Sequence, residues 1–193
     1  MANGTLKVSN IETSSGSGTI TIGQSGETIS VPSGATINLS SATQTGVGGV
    51  NTPAFEARLS SAHAVATDTW TKINIDTEIY DTGGCYDNST NYRFTPTTAG
   101  KYLFYVQVGF DSLGDQDYVY ASVRKNGSTF WTDANAWALT STSSTAGNAV
   151  RFTITAEANG TSDYFEAYGA HNYGSNRNTS TGWCFFGAHK IIE

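Results

Sequence analysis

The stretch Tyr92–Phe110, YRFTPTTAGKYLFYVQVGF, decides the fold class. Pro96 and Gly100 frame a turn, and the longest alternating apolar run in the chain follows it. Side chains of a strand alternate between two faces. Tyr102, Phe104, Val106 and Val108 therefore share one side, and Lys101, Leu103, Tyr105 and Gln107 share the other. The first side needs a core. The second also carries Leu103 and Tyr105, so it asks for cover from a second sheet or from another copy of the chain.

Composition points the same way. Only 13% of the 193 residues are charged and 12% are aromatic, and short runs of Thr, Val, Ile, Tyr and Phe are cut by Gly, Asn and Ser. Strands favour that mixture and helices do not, so the expected class is all-β. The length suits one good core with a small appendage. A net charge of −6 argues against nucleic acid as a partner. No apolar stretch approaches the roughly 18 residues of a membrane-spanning helix, so membrane insertion is not expected. The start, MANGTLKVSNIETSSG, has neither a basic cluster nor an apolar core of a secretory signal. Cys85 and Cys184 lack metal or C-x-x-C spacing; they are read either as one bridge or as two buried small side chains.

Residues 1–45 contain no aromatic residue, and their apolar residues come in alternating pairs: Leu6/Val8, Ile20/Ile22, Ile29/Val31 and Ile37/Leu39. The turns GQSGE and PSGA separate the last three pairs, a loose strand–turn–strand repeat. So thin a segment cannot offset its own chain entropy. It is expected to be β-rich and shaft-like, or extended, and ordered by self-association or docking. The chain is expected to divide as an N-terminal shaft-like or docking segment 1–45, a linker 46–52 and a head 53–193. Strands in the head are expected at Pro53–Leu59, Trp70–Tyr80, around the opening stretch, and at Tyr118–Val123, Thr129–Trp131, Ala149–Ala156, Tyr164–Tyr168 and Trp183–Ile192. Asp81–Asn91 reads as a loop, and Asn126-Gly127 as a type I′ hairpin turn. About eight strands in roughly 140 residues suit a two-sheet jelly roll.

Phe94, Gly100, Tyr102 and Phe104 stand in the spacing F-x5-G-x-Y-x-F, with Ile75, Asp81 and Tyr86 upstream and an apolar closing run GWCFFGAHKII. This pattern resembles the C1q globular-head family of the tumour-necrosis-factor-like jelly rolls, over residues 53–193. Two departures are a Tyr86–Phe94 interval one residue longer than the family pattern and Val106 in place of an aromatic. The N-terminal segment looks like the leaders of bacteriophage fibre proteins. Together the resemblances imply a homotrimeric virion structural protein, a short fibre made in the host cytoplasm. Its residues 1–45 would attach to other virion proteins, and its head would meet a host surface glycan or protein. A capsid head fibre or decoration protein, or a bacterial lectin-like surface adhesin, are the alternatives.

No G-x-S-x-G or H-E-x-x-H motif occurs, and His63, His171 and His189 read as surface or loop histidines, so no enzyme is expected. Asp111, Asp115 and Asp117 cluster in DSLGDQD and could take calcium through hard oxygen ligands, although a solvated acidic loop is the plainer reading. No other cofactor is expected. The stretch GAHNYGSNRNTSTGW offers Tyr173, His171 and Arg177 as receptor contacts, with Tyr173 the best exposed candidate. Trp131, Trp137 and Trp183 are expected in the core or at a subunit interface. Leu103 and Tyr105 are expected at the contact between copies.

Overall fold

The computed structural model describes residue 11 and residues 18–39, 51–129, 135–140 and 146–191. The chain divides into two compact units, Met1–Val47 and Gly48–Glu193.

In the first unit the two predicted turns are present. Glu27 N donates to Gln24 O at 3.0 Å and Ala35 N to Pro32 O at 3.1 Å. Gly26 and Gly34 sit at φ 87° and 85°, where a Cβ would be strained. No ladder joins the described residues 18–39, so the expected repeat is realised in its turns and not in strand pairing. Ile20, Ile22, Ile29, Val31 and Ile37 are all exposed.

The second unit is all-β, with thirteen strands among the described residues. They are β1 (Ala54–Arg58), β2 (Ala64–Val65), β3 (Thr71–Lys72), β4 (Thr77–Asp81), β5 (Tyr86–Asp87), β6 (Arg93–Phe94) and β7 (Gly100–Leu113). Then follow β8 (Tyr118–Lys125), β9 (Asn135–Leu139), β10 (Ala146–Ala158), β11 (Phe165–His171), β12 (Arg177–Asn178) and β13 (Phe185–Lys190). One sheet runs β10-β7-β13-β1-β4 and a second β5-β6-β11-β8-β9, with β3 also on β11 and a small β12-β2 pair apart. The named pairings are antiparallel.

The opening stretch bridges the two layers. Phe94 lies in the second sheet and β7 in the first, so the turn at 95–99 carries the chain across the sandwich. Tyr102 Oη closes that turn by donating to Thr98 O at 2.7 Å. On β7, Tyr102, Phe104, Val106 and Val108 are fully buried, as their alternation requires. Ser112, at φ 58°, then shifts the phase, and Leu113 turns inward. Phe104 is the hub of the interior, 4.4 Å from Phe165 of the second sheet and 6.1 Å from Phe186 of the first, centroid to centroid. Phe55 stacks at 4.5 Å on both Tyr86 and Phe94.

Several elements depart from the sequence reading. Trp70–Tyr80 is two strands, because the chain changes sheets between β3 and β4; Ile73 and Ile75, both fully buried, plug the end of the sandwich there. Tyr86–Asp87, inside the expected loop, pairs with β6. Tyr86 N donates to Asp81 Oδ2 and Tyr86 Oη to Ile75 O, which ties together the three upstream signature residues. β9, β2 and β12 add to the expected strands, and of Thr129–Trp131 both Phe130 and Trp131 lie outside the described residues. Asn126 and Gly127 take φ 53° and 76°, as a type I′ turn demands. Both cysteines are free and buried, which resolves the open alternative in favour of two small side chains, and burial pushes the Cys184 thiol up to about 11.

Two expectations follow. Phe104→Ala should lower stability by about 3–5 kcal/mol, the range for a large buried aromatic, read from urea unfolding midpoints. The second concerns acid. Hydrogen bonds from Thr90, Ser89 and Asn91 hold Asp87 far below the ordinary 3.8. Burial pulls Asp163 upward, but bonds from Lys125 (2.8 Å), Asn126 (2.9 Å) and Asn159 N (2.9 Å) outweigh it and keep it low. Carboxylates depressed on folding contribute stability in full above about 3.8 and lose it as pH falls through their folded values. The thermal midpoint should therefore fall between about pH 4 and pH 2, and less steeply in Asp163→Asn.

Candidate binding surfaces

The structure places the sequence-predicted contact residues in three different roles. His171 is fully buried on the inner side of β11, its ring edge-on to Phe110 at 4.9 Å. The reading of it as a surface or loop contact is overturned. Period two continues through Phe165–His171, so Ala167, Gly169 and His171 face the interior. Its Nε2 lies 3.0 Å from Val65 O and its carbonyl accepts from Asp68 N at 2.8 Å. The residue thus pins the segment Val65–Asp68 onto β11. Tyr173 is half-buried against the core and its ring lies beside Gly114. Arg177 sits over the same ring, 3.3 Å from the centroid, so one face of the best exposed candidate is already covered.

Asp111, Asp115 and Asp117 are not gathered into a ligand set. Asp117 Oδ2 accepts from Gly114 N at 2.6 Å and closes the turn after β7. Among the described residues, no group of three or more His, Cys, Asp or Glu side chains could hold a metal ion.

Leu103 and Tyr105 lie on the outer face of the first sheet, both half-buried within a single chain. Register places Thr153, Tyr105, Gly187, Glu56 and Tyr80 in one row across five strands. The Tyr105 ring crosses the backbone of Gly187, where any Cβ would collide with it. Its Oη is 3.2 Å from Tyr80 Oη and 3.3 Å from Glu56 Oε2. Burial, then the Tyr80 hydroxyl and the Glu56 carboxylate, drive its phenol well above the usual range. Phe185, half-buried, lies 6.3 Å from Tyr105 with Arg58 over its ring.

The outer face of the second sheet carries a feature the sequence reading missed. Trp70 meets Tyr120 at 5.9 Å, Tyr120 meets Tyr118 at 5.9 Å, and Tyr118 meets Trp137 at 5.3 Å. Trp137 and Trp183, expected in the core or at a subunit interface, are not in the core: Trp137 is 62% exposed, and Trp183 is 40% exposed over Gly109 and Gly147. Arg124 stacks on Tyr168 at 4.0 Å and stands 5.5 Å from Trp70. A cleft of about 200 Å³ opens beside this stripe, lined by Asp68, Trp70, Tyr120, Ala170 and His171. Burial, then Tyr118 and Asp68, raise the Tyr120 phenol. One signal was available: in YVYASV the two tyrosines alternate with Val119, Ala121 and Val123, and must point out if those point in.

No protein-family model matches the sequence, and no curated protein does. Among solved structures, the globular domain of zebrafish complement 1qA protein is similar over 73% of this chain and 98% of its own, with TM-score 0.50 and 11% identity. Murine APRIL is similar over 72% of this chain and 98% of its own, at TM-score 0.49 and 15% identity. The Eiger TNF from S. frugiperda covers 72% of this chain and 92% of its own, at TM-score 0.48 and 11% identity. The head therefore has the jelly-roll fold of the complement 1qA globular domain. Among the described residues, no helix is long and apolar enough to cross a membrane.

His171 as a pin predicts that His171→Ala destabilises the head by about 1–3 kcal/mol, through a lost buried hydrogen bond and a void beside Phe110. A loop histidine would change stability by about 0.5 kcal/mol or less. Urea unfolding of the variant distinguishes the two.

Proposed function

We propose that this chain is a homotrimeric structural protein of a bacteriophage particle, a short fibre rather than an enzyme. Its residues 1–45 join it to other virion proteins, and its head meets the host surface. The observation that carries the reading is the row of Leu103, Tyr105 and Phe185, half-buried on the outer face of a sheet whose inner face is already fully packed. Apolar area left outside one fold is stabilising only when a partner covers it, at about 25 cal/mol per Å². A second copy is the partner always at hand, and closed rings of copies use such a patch repeatedly. The exposed isoleucines of residues 18–39 fit the same scheme, since three thin segments can share an apolar seam that one cannot close.

The phage origin rests on the likeness of the N-terminal segment to fibre leaders, and it does not separate tail fibre from capsid decoration.

Sedimentation equilibrium should return three times the monomer mass, and Leu103→Glu should return the monomer with its fold intact by circular dichroism. A Leu103→Glu protein that stays trimeric would put the interface elsewhere. Removing residues 1–45 should leave a folded head that no longer joins particles; incorporation of the truncated head would remove the attachment role.

A further inference from the structure

We propose that the outer face of the second sheet holds a binding site for a single sugar ring of a surface polysaccharide, seated in the cleft against the touching Trp70 and Tyr120 rings and beside Asp68. The site names the ligand class for the surface-binding role above and rests on that reading for the source of the sugar. Its chemistry stands on separate observations.

The walls are aromatic and splayed. The Trp70 and Tyr120 planes meet at 59° with centroids 5.9 Å apart, so the two rings touch and turn splayed surfaces toward the cleft that both line. A pyranose offers one face of C–H groups to the electron-rich face of an indole, and a rim of hydroxyls to polar neighbours. Asp68, exposed at the mouth of the cleft, supplies a carboxylate acceptor, and Tyr120 lies across from it. The floor is Ala170, paired in register with Tyr120 and 4% exposed; a longer side chain there would fill the space. The cleft, about 200 Å³, is below the roughly 300–1,000 Å³ of drug-sized pockets, so it takes one ring and not a folded partner. Tyr118 and Trp137 extend the platform, ready to stack on a neighbouring sugar of a chain.

The site is preorganised. The segment carrying Asp68 and Trp70 is held to β11 by the Asp68 N to His171 O bond of 2.8 Å and by the His171 Nε2 contact with Val65 O at 3.0 Å. It then runs through β3, and just beyond that strand Ile73 N donates to Ala167 O at 2.9 Å. Asp68 itself is at φ 51°, a left-handed conformation fixed by these bonds. A quaternary ammonium ligand, which also likes aromatic walls, is disfavoured by the Arg124 guanidinium 5.5 Å from Trp70. Finally, the stripe faces away from the Leu103–Tyr105–Phe185 row, because the two sheets turn opposite outer faces to solvent. Association through one face leaves the other open.

The test uses the full chain on an array of bacterial surface polysaccharides. It continues with titration of galactose, rhamnose, N-acetylglucosamine and phosphocholine, followed by saturation-transfer NMR. Binding to a polysaccharide and to one of the three sugars is expected. Trp70→Ala and Ala170→Leu should each weaken it at least tenfold, the second without removing any ring, while Trp183→Ala on the first sheet should not change it. The site is overturned by binding to none of the sugars, by a response to phosphocholine alone, or by Trp70→Ala and Ala170→Leu binding as well as the unaltered chain. Sedimentation of each variant keeps the two readings apart. A trimer that binds no sugar removes this site and leaves the assembly; a monomer that binds sugar removes the assembly and leaves the site.

Discussion

Phe104 sits on the first sheet with Phe165 of the second 4.4 Å away and Phe186 of its own sheet 6.1 Å away. Holding that ring between the layers fixes which way β7 faces, and β7 fixes its neighbours β10 and β13. Once Phe104 points in, Tyr105 and Leu103 must point out, because a strand cannot turn successive side chains to the same face. The outer apolar row is therefore a consequence of the core. So is the position of Gly187, which lies opposite Tyr105 and leaves room for its ring.

The same logic sets the second sheet. Val119, Ala121 and Val123 of β8 are buried, so Tyr118, Tyr120 and Arg124 project outward. Pairing brings Ala170 against Tyr120 from one side and Trp137 from the other. The head thus has two apolar outer faces on opposite sides of one core, and the functional account assigns them different partners: other copies for the first, a sugar for the second. His171 serves the second face without belonging to it, by tethering the segment that ends in Trp70.

Legibility in the sequence followed how local the determining contact was. In β7, period and burial coincide over a long run, so its faces could be assigned residue by residue. Asn126-Gly127 was legible because positive φ at two successive positions demands such residues. The F-x5-G-x-Y-x-F spacing was legible because it is one crossing between layers, with Phe94 and Phe104 meeting 6.2 Å apart inside. The division at Trp70–Tyr80 was not, since Ile73 and Ile75 alternate the same way whether the chain stays in a sheet or leaves it. β9 was hard to place because its large apolar residues, Trp137 and Leu139, point outward and only Ala136 and Ala138 supply its inward side. His171 was misjudged because the polar residues after it outweighed the alternation before it. The aromatic stripe needed tertiary knowledge, because Trp70 and Tyr120 meet only through the pairing of β3 and β8 on either side of β11.

The central claim is that the two outer faces do opposite things in the assembled protein. Hydroxyl-radical footprinting of the intact assembly, read residue by residue by mass spectrometry, addresses both at once. The account predicts that Leu103, Tyr105 and Phe185 are protected while Trp70 and Trp137 are oxidised. Protection of Trp70 and Trp137, with Tyr105 and Phe185 freely oxidised, would contradict it.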